Sequence, residues 1–108
     1  MKNTKKPRYL GSKSNVKSSP DSFILDCVNN PHLDHDYSIR FIAPEFTSIC
    51  PITSQPDFGK IIIDYVPNKL LMESKSFKLF LFSFRDYGGF HEDCTITIAK
   101  DLEKLLRP

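Results

Sequence analysis

Alternation of apolar and polar residues predicts two half-buried strands in the middle of the chain. Between residues 37 and 43 every second residue is apolar, and a period of two is typical of a strand with one buried face. A second strand is predicted over residues 60–66, where Ile61, Ile63 and Tyr65 share a face. A short apolar run at residues 23–25 favours an edge strand.

Two helices are predicted to follow the strands. Residues 74–85 fit both a helical spacing and an alternating one, and we prefer a helix because the segment is long and Ser74 can cap it. The second helix is predicted over about residues 92–106. Acidic residues in its first turn interact favourably with the positive end of the helix dipole and so stabilise the helix. Its apolar stripe consists of Ile98, Leu102, Leu105 and Leu106.

The segment between the two strands, residues 44–59, carries three prolines and is predicted to be a long loop. Unstructured loops of this length are uncommon in compact domains and are often functional. Cys50 and Asp57 lie within it, so a thiolate nucleophile and a carboxyl proton donor could face one pocket. The simpler alternative is that Cys50 is a small buried residue and that Asp57 belongs to a turn.

Two further clusters could bind a ligand. At the start of the first helix, Glu73 and Ser74 are followed by Lys75 and Lys78, so backbone N–H groups and ammonium groups could meet phosphate oxygens. The alternative is a capped helix with solvated lysines.

The other cluster lies at the start of the second helix. His91 and Glu92 could hydrogen-bond the edge of a purine-like base, or the acidic residues there could simply cap the helix. A zinc site built from Cys50, His91 and Cys94 is a further alternative, although its spacing is not a strong zinc signature.

Composition narrows the class of protein. The chain has 108 residues, which fits a single domain, predicted at residues 21–108. The basic start, rich in serine and asparagine, predicts a flexible tail at residues 1–20. Its formal charge of +2 is too small to indicate direct nucleic acid binding, and no apolar run is long enough to span a membrane. Three widely spaced cysteines argue against a disulfide framework and favour a reducing, cytoplasmic location.

The chain carries, in this order, the segments 44–51, 55–58, 73–80, 82–85 and 90–94. Together they resemble the NADPH-dependent 7-cyano-7-deazaguanine reductases, the nitrile reductases of queuosine biosynthesis. The first two are similar to the family's catalytic loop and the third to its cofactor-site motif. The resemblance runs from about residue 36 to the C-terminus and is to the short, single-module branch of the family.

The resemblance implies a truncated α+β tunnelling fold, with antiparallel strands, two helices on one face and a barrel completed by homo-oligomerisation. It also implies reduction of the nitrile of a deazapurine to a primary amine with two NADPH and no metal. Cys50 would form a thioimide and Asp57 would donate a proton. Substrate-binding residues would be Met72, Glu73, Ser74, His91 and Glu92, and cofactor-binding residues would be Ser74 and Lys75.

One departure from the family bears on activity. Its members continue with two more strands and an Arg-Gly-Gly segment that helps to hold the cofactor, whereas this sequence stops at Pro108. We therefore expect a truncated, fragmentary or split form. The alternatives are an inactive, purely purine-binding or structural fragment of the same fold, and a zinc-dependent pterin or purine enzyme of that fold.

Overall fold

The computed structural model describes residues 20–108, so the predicted basic tail lies almost entirely outside the described residues. β2 and β3 form a long antiparallel hairpin, and the short strands β1 and β4 form a separate antiparallel pair. The α+β class is as predicted. In chain order the elements are a 3-10 turn Ser22–Ile24, β1 Cys27–Asn29, β2 Ile39–Ile49, β3 Pro56–Tyr65, β4 Leu70–Met72, α1 Ser74–Phe82 and α2 His91–Leu106.

The long loop predicted over residues 44–59 is wrong, because most of it belongs to the hairpin and only residues 50–55 join the strands. The cause is a β-bulge, where the register passes from Ala43 opposite Ile61 to Phe46 opposite Gly59. The extra residue on β2 switches its buried face from odd to even positions, so that Phe46 and Ser48 are buried. The alternation visible in the sequence therefore stops at Ala43.

The edge strand predicted at residues 23–25 is also wrong. These residues lie in and beside a 3-10 turn in which the Phe23 N–H group donates to the Asp21 carboxylate at 3.0 Å. The strand begins only at Cys27, which lies opposite Met72 in β4. Strands of three residues give too short a pattern to be read from alternation.

Helix formation at residues 74–82 is confirmed, but Ser74 does not cap the helix. Glu73 is the N-cap, and its carboxylate accepts hydrogen bonds from the N–H groups of Lys75 and Ser76, each at 2.8 Å. α2 begins at His91, one residue earlier than predicted, and its predicted apolar stripe is buried.

Both helices lie against one face of the hairpin. Phe41 on β2 contacts Phe77 on α1 with ring centroids 5.5 Å apart, and Phe46 contacts Phe84, just beyond α1, at 5.7 Å. Ile42, Ile62 and Phe58 on the opposite face remain exposed. None of the helices in residues 20–108 combines the length and apolar character needed to cross a bilayer.

Candidate active site

Cys50 lies in the turn that joins β2 to β3, residues 50–55, here called the Cys50 turn. Its N–H group donates to the Gln55 carbonyl and its own carbonyl accepts from the Ser54 N–H group, both at 2.9 Å. Ser54 has the left-handed backbone (φ 59°) that this closure requires. The preceding residue, Ile49, donates to the Tyr87 carbonyl at 2.9 Å and ties the turn to the rest of the fold. The thiol is thus held in place while remaining partly exposed.

The pKa of the Cys50 thiol is lowered from its ordinary value. The largest cause is a hydrogen bond with the Thr53 side chain, followed by backbone hydrogen bonds with Thr53 and Ile52. Desolvation and the nearby Asp57 carboxylate act in the opposite direction, but they do not cancel the effect. A larger fraction of Cys50 is therefore thiolate at neutral pH than in a free cysteine, and the thiolate is the nucleophilic form.

Asp57 lies near the start of β3, opposite Ser48 on β2. Its Oδ2 atom is 3.2 Å from Nε2 of His91, which begins α2. His91 Nε2 is shielded from solvent. Its contact with Asp57 has the distance of an ion pair but does not meet the geometry of a hydrogen bond. Both side chains are only about 40% exposed. Asp57 on β3 and His91 on α2 therefore form a partly enclosed carboxyl–imidazole pair close to the Cys50 turn.

Gly59, which is not among the site residues predicted from the sequence, allows this pairing. A Cβ at Gly59 would come within 3.2 Å of His91 Cε1, so the imidazole occupies the space that any other residue would fill. The ring also meets Phe46 edge-on, with centroids 6.3 Å apart. A glycine two residues after an aspartate within a strand is the sequence signal that could have indicated such a close approach.

Cys94 lies beneath this unit, one helical turn after His91, and is fully buried. Burial raises the pKa of the Cys94 thiol, and its interaction with the Ser48 side chain lowers that pKa to a smaller extent. In the part of the chain that the structure describes, no group of three or more His, Cys, Asp and Glu side chains could hold a metal ion. The zinc alternative therefore gains no support from the geometry.

Glu92 is exposed in the first turn of α2, next to His91. Its neighbour Asp93 is engaged elsewhere, because Tyr87 donates its hydroxyl hydrogen to Asp93 Oδ2 at 2.6 Å. This hydrogen bond to the carboxylate raises the pKa of Tyr87. Of the two acidic side chains, Glu92 is thus the one that this hydrogen bond does not engage.

The second predicted cluster, Met72 to Lys75, lies at the start of α1. Met72 and Glu73 are buried, and the Met72 N–H group donates to the Tyr65 hydroxyl at 3.0 Å. The N–H groups of Lys75 and Ser76 are engaged by Glu73, so they are not available to phosphate oxygens in this arrangement. The exposed Ser74 hydroxyl and the exposed Lys78 ammonium group remain suitable for an anionic ligand.

The two clusters lie at opposite ends of the hairpin. Met72 contacts Tyr65, which pairs with Ile39 at the open end, whereas Cys50 lies at the closed end. The length of β2 from Phe41, beside α1, to Ile49 is roughly 26 Å at about 3.3 Å per residue. Within one chain the structure therefore brings Cys50, Asp57 and His91 together, with Glu92 next to His91, and leaves Met72, Glu73, Ser74 and Lys75 apart from them.

Comparison with known proteins shows which reductases the chain resembles. A family model described as QueF-like protein matches residues 56–108. NADPH-dependent 7-cyano-7-deazaguanine reductases from Brucella anthropi and Brucella ovis are each 56% identical over 101 residues. That alignment covers 94% of this chain and 65% of each relative. The reductase of Synechococcus elongatus is 54% identical over 99 residues, covering 92% of this chain and 57% of the relative.

The chain is similar over most of its length to NADPH-dependent 7-cyano-7-deazaguanine reductases. It spans somewhat less than two thirds of the length of these reductases, and the alignments extend over nearly all of its own length. The matched family region, from residue 56 onward, includes Asp57, Glu73 and His91. The resemblance suspected from the sequence is thereby confirmed, whereas the roles of individual residues remain predictions.

Proposed function

We propose that this chain acts as an NADPH-dependent nitrile oxidoreductase. It would reduce the nitrile of 7-cyano-7-deazaguanine to the primary amine of 7-aminomethyl-7-deazaguanine in queuosine biosynthesis. The observation that carries the proposal is the environment of Cys50. A thiol of lowered pKa is held in a closed turn, and the strand that leaves this turn carries Asp57, which lies against His91 on α2. A weak electrophile such as a nitrile needs both an activated nucleophile and a nearby proton donor.

The first step is addition to the nitrile. The Cys50 sulfur bonds to the nitrile carbon while Asp57 transfers a proton to the nitrile nitrogen, which gives a thioimide. When bound, one NADPH molecule would supply a hydride to the thioimide, and a second NADPH molecule would supply a hydride to the later imine. Between these hydride transfers the carbon–sulfur bond breaks, so Cys50 is regenerated and an imine remains. With two protons from solvent, the four-electron reduction to the amine is balanced.

His91 keeps the Asp57 carboxyl group oriented and partly desolvated, which suits a proton donor. Glu92 accepts hydrogen bonds from the ring N–H and amino groups of the deazaguanine, and His91 contacts the same ring. Met72, Glu73 and Ser74 complete the substrate site, and Ser74 and Lys75 contact the cofactor. The exposed Ser74 hydroxyl and the exposed Lys78 ammonium group in the first turns of α1 suit a phosphate-bearing cofactor.

A complete site built from both clusters requires more than one copy of the chain. The clusters lie roughly 26 Å apart along β2 at about 3.3 Å per residue, which is too far for one deazaguanine ring to bridge. In the homo-oligomer that we propose, the closed end of one hairpin would lie beside the start of α1 in a neighbouring subunit. The exposed apolar side chains Ile42 and Ile62 on the outer hairpin face agree with such an assembly.

Covalent trapping tests the proposal. The folded protein is mixed with 7-cyano-7-deazaguanine without NADPH, and intact-protein mass spectrometry should show the mass of the substrate added once per chain. Cys50→Ala should abolish the adduct, whereas Cys94→Ala, which alters a buried thiol on α2, should retain it. An adduct that persists in Cys50→Ala contradicts the proposal, and ring binding without any adduct favours a purine-binding protein.

The role of Glu92 has a matched control in Glu103, an exposed acidic residue near the end of the same helix. Loss of a charged hydrogen bond to the ring should weaken binding of the deazaguanine roughly tenfold or more in Glu92→Ala. Glu103→Ala should bind as the unsubstituted protein does. Equal affinities of the two variants in calorimetric titration would exclude Glu92 from the site.

A further inference from the structure

Ser48 on β2 carries a buried hydroxyl group that has no part in the mechanism above. The residue is fully buried, and within residues 20–108 its Oγ atom has no hydrogen-bond partner. The nearby Cys94 thiol does not fill that role, because sulfur is a weak partner and the contact does not meet the geometry of a hydrogen bond. An unpaired buried hydroxyl is unfavourable for the folded state, so its presence needs another explanation.

The register of the hairpin places this hydroxyl beside the proposed proton donor. Ser48 on β2 and Asp57 on β3 lie directly opposite each other, so their side chains project from the same face of the hairpin. The Cβ atoms of such a pair are about 4.5–5.5 Å apart. Rotation about the Ser48 Cα–Cβ bond can therefore bring the hydroxyl group to the Asp57 carboxyl group.

His91 on α2 shows the same combination of burial and missing partner at the same carboxyl group. Its Nε2 atom lies 3.2 Å from Asp57 Oδ2 without the geometry of a hydrogen bond. Within the described residues, Ser48 Oγ and His91 Nε2 are the two buried side-chain polar atoms that lack a partner. Such atoms are few in native structures. The occurrence of both beside one carboxyl group indicates that they serve its chemistry.

We propose that Ser48 is a positioning residue for Asp57, whose hydroxyl donates a hydrogen bond to the carboxylate that forms when Asp57 gives its proton to the nitrile nitrogen. This inference rests on the proposed function, in which Cys50 attacks the nitrile. As the carbon–sulfur bond forms, the O–H bond of Asp57 breaks and negative charge develops on its carboxyl group. A hydroxyl already in place stabilises that charge more than it stabilises the neutral acid. Ser48 keeps its own proton throughout.

The test compares Ser48→Ala, which removes the hydroxyl, with Ser48→Thr, which retains it. Ser83→Ala is the control, because Ser83 is equally buried but its hydroxyl donates to the Phe80 carbonyl. Adduct formation with 7-cyano-7-deazaguanine and alkylation of Cys50 by iodoacetamide are timed in parallel. We expect Ser48→Ala to form the adduct roughly tenfold more slowly, with unchanged alkylation because iodoacetamide needs no proton from Asp57. Ser48→Thr should restore most of the rate, and Ser83→Ala should alter neither rate.

Stability and coupling separate this role from a purely structural one. In urea denaturation Ser48→Ala should have a midpoint equal to or above that of the unsubstituted protein, because an unpaired buried hydroxyl is removed. Ser83→Ala should have a lower midpoint, because a hydrogen bond is lost. In a chain that already carries Asp57→Asn, Ser48→Ala should slow adduct formation no further, because both substitutions act on the same carboxyl group.

Equal adduct rates of Ser48→Ala and the unsubstituted protein, with both folded by circular dichroism, would overturn the inference and leave the proposed function standing. A full tenfold slowing in the Asp57→Asn background would also overturn it, since Ser48 would then act independently of Asp57. If the unsubstituted protein forms no adduct at all, the proposed function fails and this inference fails with it. The unsubstituted rate thus tests the function, and the ratio of the rates tests Ser48.

Discussion

The imidazole of His91 lies against Gly59, where an added Cβ would come within 3.2 Å of Cε1. This close approach brings Nε2 to 3.2 Å from Asp57, two residues earlier on the same face of β3. β3 thus supplies both the Asp57 carboxyl group and the space for His91. The position of the proposed proton donor therefore depends on residue 59 having no side chain.

Gly59→Ala should therefore displace His91 and weaken its contact with Asp57. At 3.2 Å the new methyl group is tighter than an ordinary contact, so the ring must move by a few tenths of an ångström. We expect slower adduct formation with 7-cyano-7-deazaguanine and a loss of about 1 kcal/mol in the free energy of unfolding. Gly88→Ala is the control, because nothing lies within 4 Å of its Cβ position. Equal adduct rates in both variants would contradict this account of Gly59.

Glu73 has a structural role that is separate from any contact with a ligand. Its buried carboxylate accepts two hydrogen bonds from the first turn of α1. Glu73→Ala should lower the free energy of unfolding by about 1–2 kcal/mol, the usual cost of losing an N-cap. Glu103→Ala should change it by less than about 0.5 kcal/mol, because that side chain is exposed. Urea denaturation measures both, and equal stabilities would show that the cap contributes little.

Much of the fold could be predicted from local patterns. Period-two alternation identified the inner face of the hairpin as far as Ala43, and the apolar stripe from Ile98 to Leu106 identified α2. The pattern fails at the bulge, because one extra residue reverses which positions are buried. Pro44 and Gly59 strengthened the error, since both residues usually indicate loops but here occupy a bulge and a close contact.

The candidate site divides in the same way. Cys50, Asp57 and His91 could be proposed from the sequence because each carries reactive chemistry and together they resemble a known family. The geometry of these residues could not be predicted. It arises because the register of the hairpin places Asp57 opposite Ser48 and because α2 packs against Gly59. These are contacts between residues distant in sequence, and local patterns carry no information about them. The separation of Met72–Lys75 from Cys50 could not be predicted from the sequence for the same reason.

The cysteines should differ in reactivity as a function of pH. Hydrogen bonding with Thr53 lowers the pKa of Cys50, whereas burial raises the pKa of Cys94. As pH rises from about 5, Cys50 should therefore be alkylated first, below the ordinary cysteine value of about 8.5, and Cys94 only above it. Peptide-level mass spectrometry after brief iodoacetamide treatment measures the two rates. In urea the rates should converge, and a folded protein in which they are equal would contradict the assigned environments.

Asp57→Asn should change two reactions of the same thiol in opposite directions. The Asp57 charge raises the pKa of Cys50, so its removal should leave iodoacetamide alkylation near neutral pH unchanged or faster. Addition to the nitrile should instead slow by about a hundredfold, because the amide cannot give a proton to the nitrile nitrogen. Asp64→Asn is the control, since that carboxylate bonds to Arg40 toward the open end of the hairpin at 2.7 Å. If Asp57 were a base that activates Cys50, both rates would fall together. The sign of the alkylation change thus decides whether the carboxyl group serves the sulfur or the substrate.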